Sequence, residues 1–409
     1  MITSRGLASI LPAIYFVFSL QLAMTGNSAT IAGGHSSSDS AAEKTLSMFS
    51  GDLFDNFRSF QRYGKTSVVP IGIVKPLPSA QKPLSFSADL IGKSTDLESF
   101  LKVSNTSSFL ILKDGKIIYE RYLHGDSVES VHMSFSMAKS FVSAMVGVAV
   151  EEGDIASIDD PVKKYLPELT SATFNGVTIK HILQMASGVA FNEDYTDANS
   201  DINKMVAAVQ TMSYLDYINT LGRAHEPGSY NHYASINPQL LGILLIRATG
   251  MSLTAYTAEK IWKPLGMEHI GMWRLDNEGF ELAMGGLAAT ARDYARLGLL
   301  YLNKGKSDTQ QVLPASWVRD SVTPNEPHLM PGDNPNSSST FGYQYQWWMP
   351  PEYDGDFLAR GIWGQNIYVH PANRVVIVKL AADPKNFQAE YSQAYVEYIQ
   401  DLAQSLSDR

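Results

Sequence analysis

The sequence predicts an α/β (α+β) fold in which one antiparallel sheet is built from both ends of the chain. Helices flank that sheet, and a large helical insertion occupies about residues 155–335. Three observations predict it: a strand hairpin early, a run of helical segments in the middle, and a strand meander late.

The early hairpin lies at residues 107–123, where two β-branched, apolar runs flank Lys113-Asp114-Gly115; Asp-Gly between such runs is a tight-turn signal. The period then changes. From Ser136 to Glu152, Phe141, Ala144, Met145, Val148 and Ala149 recur at helical spacing, and Gly153-Asp154 closes the run. Further helical segments follow at 179–187, 237–250, 253–266 and 289–305. Strand character returns in "YQYQWWM" (343–349), "GQNIYVH" (364–370) and "RVVIVKLAA" (374–382), with a helix from about Phe387 to Leu406 after them. The site of such a protein falls between the sheet and the insertion.

Of 409 residues, 44% are apolar, enough for a sizeable core. The net charge of −9 and the lack of a dense basic run argue against nucleic acid or an anionic membrane surface as partner. With no cysteine, disulfides and thiolate chemistry are excluded. The nine histidines are scattered, without a metal-ligand cluster, and no G-x-S-x-G elbow is present. "GGLAATARD" lacks the strand and the P-loop lysine that phosphate binding needs, so no cofactor and no metal are expected. Arg5, an apolar stretch from Leu7 to about Met24, and small residues after it form an export-signal pattern over 1–29. The mature protein is therefore expected in the periplasm or secreted, anchored in the membrane only if the signal is retained. Residues 30–100 read as a flexible, then core-wrapping, lead-in to one domain at 101–409.

Ser-x-x-Lys occurs at Ser79/Lys82, Ser99/Lys102 and Ser136/Lys139. Pro83 follows the first pair, and the second sits on the polar face of "DLESFLKV". Ser136 alone opens an apolar helix that carries its lysine inward. Two readings stay open at this point. A desolvated Lys139 could take the proton of Ser136, or Ser136 could be a helix cap beside a snorkelling lysine. Tyr-x-[Ser/Asn] also occurs three times, and only Tyr233/Ser235 places its tyrosine on a turn, in "EPGSYNHYAS", from which it could project.

"SFSMAKSF", "YASINPQLLG", "GGLAATARDYARLG" and "GIWGQNIYVHP", in that order, resemble the serine β-lactamase-like superfamily related to class C enzymes. "FNEDYTD", "QWW" and "WGQN" are most similar to its 6-aminohexanoate-dimer hydrolase branch, near family VIII carboxylesterases. The resemblance implies a β-lactamase/DD-peptidase-like fold with Ser136 as nucleophile, Lys139 as base and Tyr233 as proton relay. It further implies oxyanion N–H donors on Ser136 and Ile362, with Gln365 as the fallback donor. Tyr195, Ser235 and Trp348 would line the substrate site. The third family motif maps to "ARGI", where Ala359 replaces its cation and Arg360 comes one position late, which argues against anchoring a β-lactam carboxylate. Met284 and Val206 stand where the branch can place polar side chains. The expected activity is hydrolysis of small amides or esters through an acyl-enzyme. The alternatives are a D-stereospecific peptidase, a β-lactamase, or a catalytically silent peptidoglycan- or peptide-binding module.

Overall fold

Seven strands form the main sheet: β1 (Thr106–Lys113), β2 (Lys116–Tyr122), β3 (Gly342–Gln344), β4 (Trp347–Met349), β5 (Phe357–Gly361), β6 (Gln365–His370) and β7 (Val375–Ala381). Their order is β3-β4-β5-β6-β7-β1-β2, with every pairing antiparallel, so the two ends of the chain meet where β7 pairs with β1. The computed structural model describes residues 57–58 and 64–407 apart from 196, 210 and 309. The export signal and the flexible stretch after it lie outside the described residues.

The hairpin turn is made by Asp114 and Gly115, both left-handed at φ 51° and 76°, the geometry that matches strand twist in a two-residue turn. Alternation then sorts the sheet into two faces. Leu110, Leu112, Ile367, Val369, Val376 and Val378 join the core shared with the helices. Against this face lies α3 (Ala291–Leu302), so close that a Cβ on Gly298 would stand 2.6 Å from Val376. Phe109, Ile111, Tyr368 and Ile377 line the opposite face beneath α4 (Ala389–Gln404), where Tyr398 stacks on Phe100 at 4.0 Å.

The helix α1 (Ala138–Glu152) is buried at every position from Ala138 to Ala149, including Lys139. It packs on α2 (Ile236–Thr249), which is buried from Ile236 to Leu245. Both helices end on a left-handed glycine, Gly153 and Gly250, which supplies a C-terminal cap without a Cβ penalty.

Three expectations need correction. The middle of the chain is not purely helical: Gly271–Arg274 and Leu287–Ala289 join Thr66–Val69 and His132–Met133 in a second, four-stranded antiparallel sheet. Strands of three or four residues are too short to display alternation in the sequence. The segment 343–349 is not one strand but the β3–β4 hairpin, turning at Tyr345 (φ 34°) and Gln346 (φ 66°). Tertiary hydrogen bonds hold this costly turn: Ser140 Oγ donates to Gln346 O (2.7 Å), and Gln346 Nε2 donates to Leu183 O (2.9 Å). The segment 253–266 is helical but broken, with a π turn at Ala258–Trp262 between short α segments.

Candidate active site

Ser136 sits in the 3-10 turn Phe135–Met137 that leads into α1. Phe135, just before it, is left-handed at φ 46°, a strained conformation for a bulky residue. That turn leaves Ser136 half-buried while its neighbours are buried. One helical turn later Lys139 is 2% exposed, and its Nζ lies 2.7 Å from Ser136 Oγ. Nζ also donates to Met284 O at 2.6 Å. Burial lowers the pKa of Lys139 to about 7, although the Glu193 carboxylate pulls it the other way.

Tyr233 stands on the turn before α2, as its sequence context suggested. The residues just before it are tied to one neighbouring segment: Asn231 Nδ2 donates to Gln184 O (2.9 Å), and His232 N donates to Met185 O (2.8 Å). The Tyr233 ring stacks on Trp348 at 5.2 Å and meets Tyr343 edge-on at 6.2 Å. Lys139 Nζ is 5.2 Å from the ring centroid. Burial, then the Glu193 charge, pushes the phenol pKa up, partly offset by hydrogen bonding with the Ser136 and Ser235 hydroxyls. Tyr233 is thus a protonated donor at neutral pH, while Lys139 is the group able to lose its proton there.

Strand β5 closes the other side. Its pairing with β4 covers Leu358 alone, so the edge at 359–361 is left to the serine turn. A Cβ on Gly361 would lie 2.4 Å from Ser134 O and 3.2 Å from Ser136 N, so only glycine permits this approach. Ile362 follows directly and is half-buried. Among the described residues, no turn or loop carbonyl takes the N–H of Ser136 or of Ile362.

The remaining sequence candidates divide. Tyr195 is half-buried and donates through its phenol to Glu193 Oε1 (2.7 Å). Trp348 backs Tyr233. Ser235, expected to line the substrate site, is 2% exposed and committed to Glu193: Oγ donates to Oε1 (2.5 Å) and N to Oε2 (2.8 Å). It positions its neighbours instead. Gln365, the fallback oxyanion donor, is 1% exposed and serves as a buckle. Its Nε2 donates to Ala381 O (2.6 Å), and its Oε1 accepts from Ala381 N (3.1 Å). Both ends of this amide are spent on backbone, which removes it as a substrate contact. Arg360 is packed among aromatic rings, 5.6 Å from Trp348, and its charge bears on Tyr233. Its guanidinium covers Phe341 at 4.3 Å and donates to Ser392 Oγ (2.5 Å), while Ala359 is buried in the core.

Glu193 was missed. It gathers Tyr195 and Ser235 and bears electrostatically on Lys139 and Tyr233. Its only sequence signal was an acidic residue in the same short loop as Tyr195, since Ser235 lies 42 positions on.

A sequence model of the Beta-lactamase family matches residues 103–399. The chain is 28% identical to the 6-aminohexanoate-dimer hydrolase of Paenarthrobacter ureafaciens, over 84% of this chain and 89% of that one. Among solved structures, a Bacillus anthracis protein provisionally named 6-aminohexanoate-dimer hydrolase superposes with a TM-score of 0.79 at 26% identity. That match covers 88% of this chain and 96% of the other. EstCE1, a hydrolase with promiscuous acyltransferase activity, superposes at 0.59 with 15% identity, covering 73% and 94%, and shares the fold.

Proposed function

The chain belongs to the Beta-lactamase family, and on that premise we propose that it is a serine hydrolase that cleaves small amides or esters through an acyl-enzyme, as its 6-aminohexanoate-dimer hydrolase relative suggests. The observation that carries this reading is the 2.7 Å approach of Lys139 Nζ to Ser136 Oγ at a lysine depressed to about 7. Neutral Lys139 takes the proton as Ser136 Oγ attacks the substrate carbonyl. The Ser136 and Ile362 N–H groups face the developing oxyanion. Tyr233 passes a proton to the leaving alcohol or amine, and water then cleaves the acyl-enzyme by the reverse route. Arg360, turned onto Phe341, does not stand in for the missing cation, which weighs against β-lactams as the preferred substrate. Export, on the N-terminal apolar segment, is part of the same proposal.

The pH profile tests the base. With p-nitrophenyl acetate, kcat/KM is expected to rise with pH through about 7 as Lys139 loses its proton. Glu193 favours the charged lysine, so Glu193→Gln lowers the lysine pKa further and moves the acid limb below 7. An acid limb that stays in place in Glu193→Gln, or that sits near 10 in the wild type, contradicts the assignment.

Gly361→Ala tests the strand approach. A methyl group 2.4 Å from Ser134 O must push β5 away from the serine turn. A displacement of that size costs on the order of 100-fold in rate. Loss of kcat on that scale from a folded variant, checked by circular dichroism, is the expected outcome.

A further inference from the structure

Five aromatic rings in contact link Phe135, which precedes the serine, to Tyr195 in the Glu193 loop. Phe135 meets Phe57 at 5.0 Å, Phe57 meets Trp363 at 5.8 Å, Trp363 meets Phe387 at 5.0 Å, and Phe387 meets Tyr195 at 6.4 Å. Three of the five are attached to the machinery. Phe135 precedes Ser136, Trp363 follows Ile362, and Tyr195 holds Glu193 through its phenol. Phe57, Phe135 and Trp363 are 2%, 8% and 9% exposed, whereas Phe387 is 41% exposed. Among the described residues it is the one aromatic side chain in the group of exposed large apolar residues.

The backbone turn that carries Phe387 is tied down. This turn, Pro384–Phe387, is fastened to the turn after Ile362 by Asp383 N donating to Trp363 O (3.0 Å). Within the turn, Asn386 N donates to Asp383 O (3.2 Å) and Gln388 N to Lys385 O (2.9 Å). Singly scattered apolar side chains on a surface need no explanation. An exposed ring on an anchored turn, in contact with Trp363 and Tyr195, does. The wall also has a side: Tyr233, which serves the leaving group, stacks on Trp348 and meets Tyr343 edge-on, while Trp363 and Phe387 extend from the oxyanion turn. On the proposed mechanism Tyr233 receives the leaving arm, which assigns the arm on the Trp363 side to the acyl group.

We propose that Phe387, with Trp363 and Tyr195, forms an apolar subsite for the acyl chain, and so selects acyl groups of several carbons over acetyl. This rests on the serine-hydrolase reading above. Each methylene laid on the wall leaves water, which is worth about three- to fourfold in kcat/KM.

The test compares p-nitrophenyl acetate, butyrate and hexanoate in the wild type and Phe387→Ala, with a parallel series of acetates whose leaving alcohol is varied. The wild type is expected to favour hexanoate over acetate by tenfold or more. Phe387→Ala is expected to cut that ratio at least fivefold, while its preference among leaving alcohols keeps the wild-type order. As Phe387 is 41% exposed, a melting temperature close to wild type is expected and checks the fold. An unchanged acyl ratio in the variant overturns the subsite, as does a change confined to the leaving-alcohol series. If no ester is turned over by either protein, the serine-hydrolase reading has failed instead, which is a separate outcome.

Discussion

Ser136→Ala loses ester and amide turnover by a factor of about 10⁴ or more, while the protein stays folded. The size follows from the role: without Oγ no acyl-enzyme forms, and only the N–H donors and substrate binding remain to speed attack by water. The fold is spared because Ser136 is half-buried and removing Oγ leaves Lys139 Nζ its bond to Met284 O. The measurement is kcat on a p-nitrophenyl ester beside thermal melts of both proteins. Turnover within tenfold of wild type in the folded variant removes Ser136 from the mechanism.

Lys139→Met loses about 10²–10⁴-fold in kcat, the range that general-base catalysis contributes. Methionine fills nearly the same apolar volume, so packing inside α1 survives. The change also removes a cation buried at 2% exposure whose charged form the interior already opposes. Stability near neutral pH is therefore expected to hold, even though Met284 O loses its donor. A second readout separates base from scaffold. The acid limb near 7 should vanish from the residual activity, because the group that titrates there is gone. If the limb persists in Lys139→Met, another residue is the base.

Much of this site was legible because its signals are local. Asp114-Gly115 marks a hairpin by turn chemistry alone, and the periodicity after Ser136 marks a helix that must be buried, which makes its lysine informative. Tyr233 separated from Tyr217 and Tyr301 because it precedes a helix rather than lying within one. What escaped depends on contacts distant in sequence. Glu193 acts through Ser235, and no local pattern joins residues 42 positions apart. Gln365 reads as an available amide until β6 and β7 pair, and only then does Ala381 take both ends of it. Strands such as Leu287–Ala289 exist because neighbours pair with them, not because three residues prefer an extended backbone.

The most direct test of the central claim is intact-mass spectrometry of the protein quenched during turnover of p-nitrophenyl butyrate, followed by peptide mapping, with Ser136→Ala run in parallel. The account predicts a transient butyryl adduct on the peptide that contains Ser136 and none in the variant. An adduct on another residue, or rapid turnover with no adduct and an unaffected Ser136→Ala, would contradict it.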